Sequence, residues 1–190
     1  MGFNIAILIS GNGSNMLNIV EACKKKILSS KVKVVISNNK KSQGIIKAKN
    51  ENIKSLIIED KNIEILEKKI EKVLINEKIN LICLAGFMRI LSESFLKNWE
   101  KRIINIHPSI LPKFKGLNAI NQALKKRAKF SGCTVHFVDK GIDTGKIIDQ
   151  RIVKISNDDD ESSLRKKILK QEHILYINVL LKLEKESFNV

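Results

Sequence analysis

The sequence is poor in the residues that build special-purpose scaffolds. Its three cysteines, Cys23, Cys83 and Cys133, are odd in number, far apart and without a Cys-x-x-Cys pair. That argues against a disulfide framework and against a zinc site, and three small buried apolar residues are expected instead. No apolar run approaches the roughly 20 residues needed to cross a bilayer. The start, Met1-Gly2-Phe3-Asn4, has no basic leader or small-residue cleavage site, and Ala6 stands where a myristoylation signal needs Ser or Thr. A cytoplasmic protein without a membrane partner is expected. One Trp and one Tyr provide few stacking platforms for bases. The net charge of +15 nevertheless raises the question of nucleic acid. The lysines are spread along the chain and mixed with Glu, as in Glu67-Lys68-Lys69-Ile70-Glu71-Lys72, so no basic stripe forms. No nucleic-acid partner is expected, whereas a phosphorylated small molecule suits the charge.

What the chain does have is a 43% hydrophobic content and a regular alternation of short apolar runs with amphipathic stretches. One domain covering residues 1–190 is expected. Buried strands are expected at residues 3–9, 32–37, 56–58, 81–85 and 103–106. Helices are expected between them: one carrying Met16, Ile19, Val20, Cys23 and Ile27, one at 45–50, one at 63–76, one capped by Ser92, and one at 118–128. Then the alternation changes. Residues 133–138 and 147–155 are two strands joined closely enough for an antiparallel pair. A helix over about 161–185 follows, with Asp158, Asp159, Asp160 and Glu161 at its positive end. On it, Leu164, Ile168, Leu175 and Val179 form one apolar face, with Gln171 inside that face and Glu172 at its edge. The fold class is α/β: a Rossmann-like, mostly parallel sheet with helices on both faces, an antiparallel hairpin and a long helix.

Ligands of such sheets bind beyond the carboxyl ends of the strands, which singles out the loops after Ile9, Ala85 and Ile106. Ser10-Gly11-Asn12-Gly13-Ser14-Asn15 is either a plain tight turn or a phosphate cradle at a helix start. Met16 rules out a dinucleotide fingerprint. Gly86-Phe87-Met88-Arg89-Ile90-Leu91 is apolar for a sheet-end loop; it is either core packing or a slot for a flat organic group. Asn105-Ile106-His107-Pro108 places an amide and an imidazole two residues apart, on one strand face, in a loop that holds both prolines of the chain, Pro108 and Pro112. A stiff pair of polar groups at a strand's carboxyl end suits oxyanion stabilisation and proton transfer. Asp143, between Gly141 and Gly145, is either a turn residue or a carboxylate partner for His107.

Taken together with Thr134-Val135-His136-Phe137-Val138 and Gln171-Glu172-His173, these segments resemble the folate-dependent formyltransferase family, in order from Ile5 to about Tyr176. The resemblance is to members that formylate the amine of phosphoribosylglycinamide in purine synthesis, with 10-formyltetrahydrofolate as co-substrate and no metal. It implies a catalytic trio of Asn105, His107 and Asp143. It implies that Gly13, Ser14, Asn15, Gly86, Leu169, Lys170, Gln171 and Glu172 hold the phosphorylated substrate. Met88, Arg89, Ile90, Leu91, Asn105, Asp139, Lys140, Gly141, Ile142 and Asp143 would line the folate pocket. In this picture Asp143 keeps His107 charged, and the charged ring donates to the oxyanion. The partners are small molecules; a homodimer is left open. Lys115 stands where the family commonly has proline, Leu117-Asn118 where it has a Leu-His pair, and its arginine upstream of the folate loop has no counterpart near Ile63.

Overall fold

The computed structural model describes residues 2–186; Met1 and residues 187–190 lie outside it. The chain runs β1 (Asn4–Ile9), α1 (Ser14–Lys24), β2 (Lys31–Ser37), α2 (Gln43–Asn50), β3 (Ser55–Ile57), α3 (Ile63–Asn76) and β4 (Leu81–Leu84). It continues with α4 (Glu93–Asn98), β5 (Ile103–His107), α5 (Ala119–Lys125), β6 (Phe130–Phe137), β7 (Ile147–Lys154) and α6 (Glu161–Glu186). The strands form one seven-stranded sheet in the order β3-β2-β1-β4-β5-β6-β7. The pairings from β3 to β5 are parallel, whereas β5–β6 and β6–β7 are antiparallel.

The unbroken apolar run of β1 follows from burial on both faces. Ile5, Ile7 and Ile9 join one core cluster with Met16, Ile19 and Ile168, while Ala6 and Leu8 join the other with Leu66, Ile70 and Phe95. Burying each such Ile or Leu stabilises the fold by about 1.5–3 kcal/mol. After β2 and β3 are laid on one side of β1, the chain crosses to place β4 on the other. The crevice this reversal creates opens at the carboxyl ends of β1 and β4.

Side chains close two helix starts, one of them the expected cap Ser92. Asn62 Oδ1 accepts from the Glu64 and Ile65 amides at the start of α3. Ser92 Oγ accepts from the Phe95 amide at the start of α4, and both the amide and the hydroxyl of Ser92 donate to the buried Glu67 carboxylate. The Ser156, Ser163 and Lys167 groups hold the Asp159 carboxyl down to about 2, with the Lys167 ammonium first among them.

Four local expectations are corrected. Ile27 lies beyond α1 and is exposed, because the helix ends at Lys24 with Lys26 in the left-handed region. Cys23 is only half-buried, unlike Cys83 and Cys133. Helix α5 starts at Ala119, since Asn118 adopts a left-handed conformation that short polar side chains tolerate. On α6, Glu172 is the buried residue and Gln171 the half-exposed one, the reverse of the sequence reading.

Helix α6 is held to the sheet by Tyr176, whose hydroxyl donates to the Leu84 carbonyl at 2.9 Å inside the core. Further along, Glu184 accepts from the Ser29 and Ser30 amides and the Ser30 hydroxyl, and Ser30 Oγ in turn accepts from the Phe3 amide. Among the described residues no helix is long and apolar enough to cross a membrane.

Candidate active site

The turn after β1 is shaped by a close approach of two backbones. Gly13 has φ +74°, and a Cβ there would lie 2.8 Å from Gly44 Cα. The Gly44 amide and the Ser42 hydroxyl both donate to the Gly11 carbonyl. Ser14 and Asn15 form the first turn of α1, where amide groups have no acceptor within the helix and the helix dipole is positive. The Lys47 ammonium donates to both the carbonyl and the side-chain oxygen of Asn12, so a cation stands beside these amides.

From the other side α6 brings in Glu172, 8% exposed, whose Oε2 accepts from Asn15 Nδ2 at 2.8 Å. Burial raises the pKa of this carboxyl, and the Asn15 and Arg165 contacts offset that only in part. Asn15 Oδ1 is buried with no hydrogen-bond partner among the described residues. The neighbours of Glu172 are not gathered in the same way. Gln171 accepts from Arg151 Nε and turns toward β7. Lys170 is exposed, about 200° round the helix from Glu172. Leu169 is half-buried.

The loop after β4 has an alternating character. Gly86 has φ +76° and open space above it. Phe87 and Leu91 anchor the loop in the core, Arg89 donates to the Asp60 and Lys61 carbonyls, and Met88 and Ile90 stand 64% and 69% exposed. The Leu91 side chain, expected to line a pocket, is 6% exposed and packs in the core. The loop between β6 and β7 is braced by Asp139, which accepts from the Gly141 amide and the Thr144 hydroxyl. It leaves Lys140, Gly141 and Ile142 exposed.

Where these loops converge, Asn105, His107 and Asp143 come together. Asp143 Oδ2 lies 3.2 Å from His107 Nδ1 and accepts from the Gly116 amide at 2.8 Å. His107 Nε2–H donates to the Phe114 carbonyl at 2.8 Å. The segment after β5 thus grips both side chains, and residues nearly forty apart in sequence meet. His107 and Asp143 are 7% and 12% exposed as side chains. Two acceptors, one at each ring nitrogen, favour a charged imidazole. Burial outweighs them and holds the pKa of His107 below its ordinary value. Asp143 favours the charged ring, as expected, and burial opposes it. Burial would raise the pKa of Asp143 too, but His136, the Gly116 amide and His107 together hold it below the usual carboxylate range.

A fourth member of the cluster, His136, was not assigned a role from sequence. It faces Asn105 across the β5–β6 ladder. Its Nδ1–H donates to the Phe137 carbonyl, and its Nε2 lies 3.3 Å from Asn105 Nδ2 and 3.5 Å from Asp143 Oδ1. An unprotonated Nε2 accepts one Asn105 N–H, whereas a protonated one donates to Asp143 Oδ1; in either case Asn105 keeps an N–H for another acceptor. The signal was present: His136 alternates with Thr134 on the strand that pairs with Asn105 and His107, but only the pairing register reveals it. The cysteines stay out of this chemistry. Burial pushes the thiols of Cys23 and Cys133 up to about 11 and about 12, and that of Cys83 higher still. Among the described residues no group of three or more His, Cys, Asp or Glu side chains could hold a metal ion.

A family model described as formyl transferase matches residues 3–180. The trifunctional purine biosynthetic protein adenosine-3 of Drosophila melanogaster is 45% identical over 174 residues, and that of Homo sapiens 39% over 175. Those matches cover 89% and 90% of this chain but 13% and 17% of the relatives, so the chain spans under a fifth of their length. Among solved structures, glycinamide ribonucleotide transformylase 1 from Symbiobacterium toebii superposes with a TM-score of 0.92 at 36% identity, covering 94% of this chain and 86% of that one. Phosphoribosylglycinamide formyltransferase from Anaplasma phagocytophilum gives 0.90 at 40% identity, covering 95% and 85%. Like the solved glycinamide ribonucleotide transformylase and phosphoribosylglycinamide formyltransferase it resembles, the chain belongs to the formyl transferase family.

Proposed function

We propose that this chain transfers the formyl group of 10-formyltetrahydrofolate to the amine of 5'-phosphoribosylglycinamide, giving the formylated ribonucleotide of purine biosynthesis. It acts as one cytoplasmic domain on small molecules and needs no metal. The observation that carries the reading is the buried Asn105–His107–Asp143 cluster at the carboxyl end of β5, set between the turn after β1 and the loops after β4 and β6.

The substrate phosphate takes the free amides of Gly13, Ser14 and Asn15, with Lys47 beside them. Glu172, already on Asn15, takes the glycinamide portion and gives its buried carboxylate a second partner. The folate ring system lies on the loop of Gly86, Met88, Arg89, Ile90 and Leu91, facing the loop of Asp139, Lys140, Gly141 and Ile142.

The amine attacks the formyl carbon, and the carbonyl oxygen becomes negative. The free Asn105 N–H donates to that oxygen. Asp143, ionised at neutral pH, accepts the proton the amine loses, directly or through water, and shares it with His107 Nδ1. The ring therefore gains its charge as the oxyanion forms, and the proton passes on to the leaving nitrogen of the folate. A donor aimed at a developing oxyanion is worth about 3–4 kcal/mol of transition-state stabilisation.

The test is direct: incubate the protein with both substrates and follow formylated product by mass spectrometry and tetrahydrofolate release by absorbance. Absence of product at saturating concentrations of both substrates would remove the reading.

A further inference from the structure

One residue of the strand that carries the phosphate turn is bonded to the folate loop, and neither the substrate assignments nor the catalytic cluster uses it. Ser10 follows β1 directly and is 8% exposed. Every polar position it has is engaged. Its amide donates to the Gly86 carbonyl at 3.0 Å, and its carbonyl accepts from Asn39 Nδ2 at 3.0 Å. Its hydroxyl donates to Asn38 Oδ1 at 2.6 Å and accepts from the Met88 amide at 2.7 Å.

The consequence lies in what holds the folate loop. Phe87 and Leu91 fix it from beneath, and Arg89 ties its far side to the Asp60 and Lys61 carbonyls. Met88 contributes little packing, because its side chain is 64% exposed. Its backbone is set instead by the Ser10 hydroxyl, while the Ser10 amide holds Gly86, the other end of the same short turn. No apolar side chain of this size can replace that hydroxyl, since it serves a donor and an acceptor at once.

We propose that Ser10 is a positioning residue that couples the two binding loops: from the strand that carries the phosphate turn, it sets the placement of the Gly86–Met88 backbone on which folate rests. The inference relies on the reading that folate occupies that loop. It predicts an effect on the substrate that Ser10's own turn does not bind.

The experiment compares wild type with Ser10→Ala and Ser10→Thr. In Ser10→Ala the KM for 10-formyltetrahydrofolate rises about ten-fold, the factor one buried neutral hydrogen bond commonly carries, with kcat little changed. In Ser10→Thr, which keeps the hydroxyl, that KM stays within about three-fold of wild type. Hydrogen exchange gives a readout independent of activity: the Met88 amide is slow in wild type and Ser10→Thr and fast in Ser10→Ala. A folded Ser10→Ala protein with an unchanged folate KM overturns the proposal. So does a wild-type Met88 amide that exchanges like an open loop, even should the protein prove to lack formyl transfer altogether.

Discussion

Replacing Asp143 by Asn isolates the charge at the centre of the cluster. Asn keeps an oxygen for the Gly116 amide, which sits 2.8 Å from Asp143 Oδ2, so the segment after β5 stays gripped. The substitution removes a negative charge 3.2 Å from His107 Nδ1 and 3.5 Å from His136 Nε2. In the resting protein this matters little, because His107 is already held toward its neutral form by burial. It matters in the transition state, when a proton must leave the amine and the His107–Asp143 pair must receive it. A positioned acid–base group contributes about 10²–10⁴ in rate. Asn105, the donor to the oxyanion, is untouched, so a fall in kcat of about 10³, inside that range, is expected. The KM for phosphoribosylglycinamide, which the proposed function assigns to the Gly13–Asn15 turn and Glu172, changes by less than about three-fold. Folding stability changes by about 1 kcal/mol, since Asn still accepts from the Gly116 amide and a His107 held toward its neutral form loses little with the charge. Steady-state kinetics in each substrate, with urea unfolding in parallel, measure all three quantities. A folded variant that keeps more than about a tenth of wild-type turnover would refute the role given to Asp143.

Three further outcomes follow from the same geometry. Glu172→Gln keeps an acceptor for Asn15 and removes a charge that burial disfavours, so unfolding free energy at neutral pH should rise by roughly 1 kcal/mol while the KM for phosphoribosylglycinamide increases. The folded pKa is raised, so this gain should vanish once the unfolded carboxyl is also protonated, below about pH 4.5; a gain that persists there contradicts the cause. His107 and His173 both have pKa values lowered by burial, so as pH falls through about 6.5 the unfolded chain takes up protons first and stability declines, levelling off below the folded values. His173→Gln should flatten part of that decline in urea titrations at about pH 7.5 and about pH 5.5, and an unaltered slope would show that His173 is not a source. Gly13→Ala forces a Cβ to 2.8 Å from Gly44 Cα at φ +74°. It should cost about 1–3 kcal/mol of stability and weaken binding of the phosphorylated substrate, whereas an unchanged melting temperature would mean that the two backbones separate freely.

Much of this architecture can be read from the chain, because its information is local. The apolar runs of β1 and β4 announce strands buried on both faces, and Ser92 marks a helix start with a side chain that bonds to an amide three residues on. The Asn105–His107 pair is legible because both residues share one strand face. What escapes is set by partners distant in sequence. His136 acquires its place only through the antiparallel register with Asn105. The order of burial of Gln171 and Glu172 depends on whether α6 leans toward β7, where Arg151 meets Gln171, or toward α1, where Asn15 meets Glu172. Helical periodicity puts Gln171 inside the apolar face and Glu172 at its edge, and carries no information on these distant partners. The charge state of His107 likewise results from a contest between burial and two acceptors, and one of these, the Phe114 carbonyl, belongs to a backbone that has φ +57° and no motif to mark it.

Helix α6 spans α1 as a splint, with Glu172 latched at its first turn and Glu184 latched to the bend that follows its last. During synthesis on the ribosome, the opening βαβ unit therefore emerges long before the helix that completes it. Until residues 161–186 have left the exit tunnel, Asn15 lacks its carboxylate, the Ser29 and Ser30 amides lack theirs, and α1 packs on the sheet without the helix that covers its other flank. A nascent chain halted before that point should remain sensitive to protease within α1 and should turn resistant only over the last two dozen or so residues of α6, in the manner of domains that close late.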